Sequence, residues 1–231
     1  MIFLKYVPCI KISTMNKNYF KIKNIVILVI LFFVSQLYGQ TKQDNALEDA
    51  IKGLKFREIG PALMSGRIAD IAIDPTNPAT WYVAVGSGGL WKTTNAGSTW
   101  QSIFDDYPSF SLGCVSIDPS NAASVWVGTG ENVGGRHVGV GDGIYMSQDG
   151  GKSFNHMGLA KSEHISKIVI HPHNSNVIWV AAQGPLWSKG GDRGLYKSEN
   201  GGKTWKQVLG DNEWVGATDI VIDPINADIL Y

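Results

Sequence analysis

Cysteine is almost missing from this 231-residue chain: there are two, Cys9 and Cys114. Cys9 falls in an amino-terminal leader, so no intrachain disulfide framework is available, and Cys114, in an apolar run, reads as a small buried residue rather than a nucleophile. A transmembrane-length apolar run is also absent. The longest candidate, Ile25 to Val34, is too short for a span, which needs about 20 residues, but fits the core of a signal peptide. Lys17, Lys21 and Lys23 precede it and Ser35 to Gln40 follow, with Gly39 before a cleavage point. Met15 is the better start than Met1. Residues 1–39 are therefore expected to be removed, which predicts export to a secreted, periplasmic or cell-surface location with no membrane span afterwards. No cysteine near the cut marks a lipoprotein. Excess positive charge is missing too. Twenty basic and twenty acidic residues balance, but five lysines and no acid lie in residues 1–39, leaving fifteen basic against twenty acidic, a formal charge of −5. That excludes the basic face expected of a nucleic-acid partner. No cofactor motif is found: the glycine-rich stretches lack the helix and the Lys-Ser/Thr pair of a phosphate loop. His171 and His173 flank Pro172 without a third ligand in register, so no metal site is expected.

What the chain has is repetition. One octet occurs three times, Thr93 to Trp100, Ser147 to Phe154 and Ser198 to Trp205. All three follow one formula: hydroxyl, any, Asp or Asn, any, Gly, any, hydroxyl, aromatic. The octets begin at 93, 147 and 198, so they are 54 and 51 residues apart. A second marker keeps step: Ile73-Asp74-Pro75, Ile117-Asp118-Pro119, Ile170-His171-Pro172 and Ile222-Asp223-Pro224. Each octet follows a strand-like aromatic pair and precedes a short alternating run, so it is predicted to turn a β-hairpin. Asn95, Asp149 and Asn200 are suited to accept hydrogen bonds from the turn's own amides. Gly97, Gly151 and Gly202 supply positive φ, and Trp100, Phe154 and Trp205 return the chain to the core. Two markers in fixed order at about fifty residues describe a four-stranded unit the size of a propeller blade.

These octets resemble the Asp-box of BNR-repeat proteins: sialidases, the sortilin family with its amino-terminal propeller, and xyloglucanase-type two-propeller glycoside hydrolases. The resemblance runs from Phe56 to Tyr231 and implies an all-β propeller of four-stranded antiparallel blades. Residues 40–55 read as a linker and 56–231 as a partial propeller of about three and a half blades, truncated at its carboxyl end. Strands A to D are predicted at Ile68–Ile73, Trp81–Val85, Leu90–Thr93 and Thr99–Ile103 in blade one. In blade two they fall at Gly113–Ile117, Ser124–Gly128, Ile144–Ser147 and Phe154–Met157. Blade three uses Ile165–Ile170, Val177–Ala182, Gly194–Ser198 and Trp205–Leu209, and blade four begins with Thr218–Ile222. A propeller protects its edges by closing a ring of 4 to 8 blades, so a longer protein is expected.

Alternation of strand direction puts the Ile-Asp-Pro turns and the octets on one face and the B-to-C and D-to-A connections on the other. The first set is short and stereotyped, and its aspartates read as turn residues. The second set varies. The blade-one B-to-C turn is only Gly86 to Gly89, whereas blade two has Thr129 to Gly143 and blade three Gln183 to Arg193. Long loops on a rigid sheet suit binding. The ligand-binding candidates are Arg67, Glu131, Arg136, His137, Asp142, Trp187 and Arg193. Trp187 and Trp214 break the register of the repeat and are the tryptophans suited to stacking on a sugar ring. Arg136 or Arg193 is a potential ion-pair partner for Glu131 or Asp192. In the xyloglucanase-like enzymes one catalytic Asp lies in the first B-to-C turn; it aligns with Gly86 here, which argues against the same hydrolytic site. The resemblance implies an exported propeller that binds an extracellular glycan or polypeptide through the B-to-C face, in the manner of a sortilin-like scaffold. The alternative is a glycoside hydrolase on an extracellular polysaccharide, with Glu131 and Asp142 as its carboxylates.

Overall fold

A computed structural model describes residues 66–132, 135 and 138–231. The leader, the linker and the beginning of the propeller at Phe56 lie outside the described residues, as do Arg136 and His137. The octet and Ile-Asp-Pro turns punctuate apolar runs of strand length, and those runs form three four-stranded antiparallel sheets. Blade one contains β1 (Ile68–Ile73), β2 (Trp81–Val85), β3 (Gly89–Thr93) and β4 (Gln101–Ser102). Blade two contains β5 (Leu112–Asp118), β6 (Asn121–Thr129), β7 (Ile144–Ser147) and β8 (Asn155–His156), and blade three β9 (Ile165–Ile170), β10 (Ile178–Ala182), β11 (Gly194–Ser198) and β12 (Lys206–Leu209). Each sheet is a simple meander, with strands paired in sequence order. Five strands, β1, β2, β7, β9 and β11, have the bounds the sequence predicts.

The edge strands are shorter than their pattern suggests because their amides are used elsewhere. The Thr99 amide donates to Asn95 Oδ1 at 2.9 Å, and the Phe154 amide to the Tyr107 hydroxyl at 2.7 Å, so β4 and β8 begin later. Blade four is a correction: Thr218 to Ile222 forms no named strand. Only an isolated bridge, Ile222 to Leu230, is made, with Val221 and Tyr231 exchanging backbone hydrogen bonds at 3.0 and 2.9 Å. A ladder needs a partner of matching length, and here the pairing partner is only Ile229 to Tyr231. Ile220 is nevertheless buried on Trp179 and Ala181 of blade three.

The octets are wired alike. The first hydroxyl donates to the third residue's oxygen, at 2.9 Å for Thr93 and Asn95, 2.7 Å for Ser147 and Asp149, and 3.0 Å for Ser198 and Asn200. The amide of the fifth-position glycine donates back to that hydroxyl, from Gly97, Gly151 and Gly202 at 3.0, 2.8 and 2.8 Å. In the Ile-Asp-Pro turns Asp74, Asp118 and Asp223 accept from the amides of Thr76, Ser120 and Ile225, each at 2.8 Å. His171 does the same with its ring, Nδ1 accepting from the His173 amide at 3.1 Å. All of these side chains are occupied in making turns.

Blades pack through the faces of their sheets. Tyr82, Ala84, Leu90 and Phe104 of blade one meet Val115, Val125, Val127, Tyr145 and Phe154 of blade two. Trp126, Ile144 and Met146 then meet Ile165, Ile168, Ile178 and Val180 of blade three. At the axis, a side chain on each inner strand reaches the next blade's inner-strand region. Asp70 accepts from the Val115 amide at 3.4 Å and from Lys167 at 3.2 Å, Ser116 donates to the Ile168 carbonyl at 2.6 Å, and Ser166 to that of Ala217 at 3.0 Å. Among the described residues no sheet covers the face of blade one that carries Ile71 and Ile73, which are exposed.

Candidate functional site

The B-to-C loops and D-to-A connections are stitched into one wall by backbone hydrogen bonds that extend the A–B pairing within each blade and, from Gly141, reach the connection into the next. Gly86 donates to Arg67 at 2.8 Å, Gly130 to Ser111 at 2.7 Å, Gly141 to Glu163 at 2.7 Å and Gln183 to His164 at 2.9 Å. Backbone groups fixed in this way leave side chains to be presented. Glycine is needed for the close approach: a Cβ on Gly130 would stand 1.8 Å from the Glu163 carbonyl oxygen.

At the inner end of this wall, Glu131 follows β6 and is 1% exposed, although it is a carboxylate. Among the described residues its partner is Arg67, just before β1, and not Arg193. The two residues are 64 positions apart, and only the packing of blade two on blade one brings them together. Glu131 also fills the space beside Gly86, and its backbone carbonyl accepts from His164 Nδ1 at 2.9 Å. Burial holds the His164 ring below its ordinary pKa, so it stays neutral at pH 7. Ser111, which the sequence reading passed over, donates its hydroxyl to the Gly86 carbonyl; its only signal was a hydroxyl residue beside the first apolar residue of β5.

Asp142 is engaged elsewhere. Tyr145 donates to its Oδ2 at 2.6 Å, and Thr129 contacts Oδ1 at 3.3 Å. Burial, followed by that hydrogen bond to Asp142, raises the Tyr145 hydroxyl well above its usual pKa. Glu131 and Asp142 thus have separate partners, and among the described residues no hydrogen bond joins them.

Arg193 is turned into its own loop. It is 5% exposed, and its guanidinium is spent on carbonyls of its own loop: Gly190 at 2.7 Å, Pro185 at 2.9 Å and Ser188 at 2.8 Å. Its role is to fold the loop that carries Trp187. That loop is tied to the neighbouring D-to-A connection, with the Gly190 amide donating to the Glu213 carbonyl at 2.9 Å and Lys189 pairing with Glu213 at 3.2 Å. Trp187 and Trp214, on these two joined segments, are 79% and 64% exposed. Lys189 was not singled out from the sequence, where it is one lysine among glycines.

Two cavities of the described residues include neither Trp187 nor Trp214 in their lining. One of about 650 Å³ is at the rim between blades one and two, lined by Lys92, Trp100, Asp105 and Lys152. Another of about 410 Å³ follows the inner strands past Asp70 and Lys167. No group of three or more His, Cys, Asp or Glu residues among the described residues is placed to hold a metal. No described helix is long and apolar enough to cross a membrane.

No protein-family model matches the chain. It is 21% identical over 196 residues to an oligoxyloglucan-reducing end-specific xyloglucanase of Emericella nidulans, covering 75% of this chain and 22% of that protein. A probable enzyme of the same name from Neosartorya fischeri is 25% identical over 163 residues, covering 65% and 18%. The chain therefore spans about a fifth of the length of these curated relatives. Among solved structures, an ancestral GH74 enzyme superposes with a TM-score of 0.60 at 24% identity, over 78% of this chain and 23% of that one. The GH74 enzyme of Niastella koreensis gives 0.54 at 24% identity over 69% and 24%, and the GH74 xyloglucanase of Xanthomonas campestris 0.51 at 16% over 69% and 25%. At these identities the likeness establishes the architecture: the described residues are a partial β-propeller of four-stranded antiparallel blades, similar to the propellers of xyloglucanases.

Proposed function

We propose that this chain belongs to an exported propeller protein that binds an extracellular glycan through the wall of B-to-C and D-to-A loops. The observation that carries this is the pair of exposed indoles, Trp187 and Trp214, on loops braced by Arg193 and by the Lys189–Glu213 contact. An aromatic ring presented on a braced loop is preorganised for stacking, and a sugar ring offers an apolar C–H face with hydroxyls at its edge. The xyloglucanase names of the relatives favour a glycan over a polypeptide. Export follows from the lysine-rich leader and its short apolar core.

The same names favour a second reading, in which the whole protein is a glycoside hydrolase. Hydrolysis needs two carboxylates flanking the scissile bond. Glu131 is buried beneath Arg67 and Asp142 is held by Tyr145, so these blades supply binding on either reading. The test is a glycan array on the full-length protein with reducing-sugar release measured in parallel. Binding without release, weakened in Trp187→Ala, is the expected result. Sugar release abolished in Glu131→Ala or Asp142→Ala would replace binding by hydrolysis at this wall.

A further inference from the structure

The Arg67–Glu131 pair has more hydrogen-bonding capacity than the protein uses. Arg67 directs Nε and one terminal nitrogen to the same oxygen, Glu131 Oε1. A guanidinium carries five N–H groups in a rigid fork, so about three remain. The arginine side chain is 61% exposed, so these N–H groups face solvent on the ligand side, while the glutamate beneath them is immobilised by burial. Glu131 has no room to swing away on one side, because it is packed against Gly86 with Cγ, Cδ and Oε1. This is a donor held in place by a carboxylate that no ligand touches.

The charge of the pair decides what the donor takes. An isolated arginine favours an anion. Here the cation already faces a carboxylate, and the other oxygen, Oε2, is buried without a hydrogen-bond partner among the described residues. An anion on the outer N–H groups meets an arginine whose charge Glu131 already offsets, so little attraction repays the anion's own desolvation. An uncharged hydroxyl or ring oxygen accepts from the same N–H groups without that penalty. Of the described lysines on the adjoining loops, Lys189 is paired with Glu213, and Lys161 is exposed on the connection before β9. We infer that Arg67 contacts the glycan by donating to uncharged sugar oxygens, that Glu131 is its positioning residue, and that the face selects neutral glycans over acidic ones. This rests on the glycan reading of the face.

The test is isothermal titration of the full-length protein with a neutral xyloglucan oligosaccharide and with an oligogalacturonide of similar length. Wild type should bind the neutral probe and bind the acidic one at least about tenfold more weakly. Arg67→Ala should weaken neutral binding about tenfold, the loss of one charge-assisted hydrogen bond. Arg67→Lys should recover only part of it, since an ammonium cannot keep the fork. Glu131→Gln keeps the volume and releases the arginine's charge, so it should shift selectivity about tenfold toward the acidic probe; a merely structural glutamate would weaken both probes alike. Should Glu131→Gln fail to fold by circular dichroism, the exposed Arg67 variants still decide. Equal binding of both probes by wild type overturns the inference. Neutral binding unchanged in Arg67→Ala but lost in Trp187→Ala overturns it while leaving the glycan face standing, and no binding of any glycan by wild type overturns both.

Discussion

Gly86 is the residue through which the architecture of the inner site can be tested without touching a charge. Its φ lies outside the left-handed region, so alanine is not strained there by its backbone. A Cβ at this position would nevertheless stand 2.7 Å from Glu131 Oε1, 3.0 Å from Cδ and 3.1 Å from Cγ. Ordinary contacts are about 3.5–4.0 Å, so the glutamate must retreat by roughly 1 Å from a place where it is otherwise enclosed. Overpacking of this kind costs about 1–3 kcal/mol. For a domain of this size that lowers the melting temperature by about 2–12 °C, at 2–4 °C per kcal/mol. The assay is urea unfolding followed by tryptophan fluorescence, with m-values compared to confirm that only stability has changed. Glu131→Ala supplies the control: with the glutamate side chain gone, Gly86→Ala has nothing to displace. The double-mutant cycle should return a coupling of about 1–3 kcal/mol. Additivity within about 0.5 kcal/mol would refute the packing of Glu131 on Gly86. The same geometry implies that Gly86→Asp would disturb this wall rather than install a working carboxylate, which a lack of sugar release in that variant would check.

Three further outcomes are expected. Gly201 and Gly202 are neighbours with positive φ, but a Cβ on Gly202 would lie 2.5 Å from the Trp126 ring, while on Gly201 the nearest atom is 3.5 Å away; alanine should therefore cost about 1–2 kcal/mol at 201 and about 2–5 at 202, read by urea denaturation. Hydrogen bonds from the Ser153 hydroxyl, the Ser153 amide and the Ser147 hydroxyl hold Asp149 well below the ordinary carboxylate range. Its stabilisation is present above the unfolded-state pKa near 4 and is lost as pH falls below it, so wild type should lose stability relative to Asp149→Asn as pH is lowered from about 4, and parallel curves would contradict this. Burial pushes the Cys114 thiol up to about 12; in a Cys9→Ser background the folded protein should resist alkylation at pH 8 and react in urea, and rapid labelling of the native state would show the thiol to be accessible.

The fold was legible because its turns are chemical as well as hydrophobic. Hydroxyl, Asp or Asn, and glycine at fixed offsets mark both ends of most strands, and strands such as β7 and β9 follow from them to the residue. Edge strands were less legible, because the sequence does not show that the Phe154 amide is claimed by a tyrosine from the previous blade. Legibility of the site divides by range. Trp187 and Trp214 stand out of register with the repeat, and that local signal alone singled them out; both prove to be exposed. Arg67 and Glu131 are 64 residues apart, and no local pattern in the sequence joins them. Arg193 looked available because composition cannot say that three carbonyls of a glycine-rich loop will converge on one guanidinium. For Phe154 and the Arg67–Glu131 pair the missing information was the packing of one blade on the next; for Arg193 it was the path of its own loop.

The measurement that bears most directly on the glycan-binding wall is calorimetric titration of full-length wild type and Trp187→Ala/Trp214→Ala with a neutral xyloglucan oligosaccharide. Saturable binding by wild type, weakened about ten- to a hundredfold in the double variant with its melting temperature unchanged, is the expected result. Equal affinity in the two proteins would contradict it, and would show that the exposed indoles are not where the ligand sits.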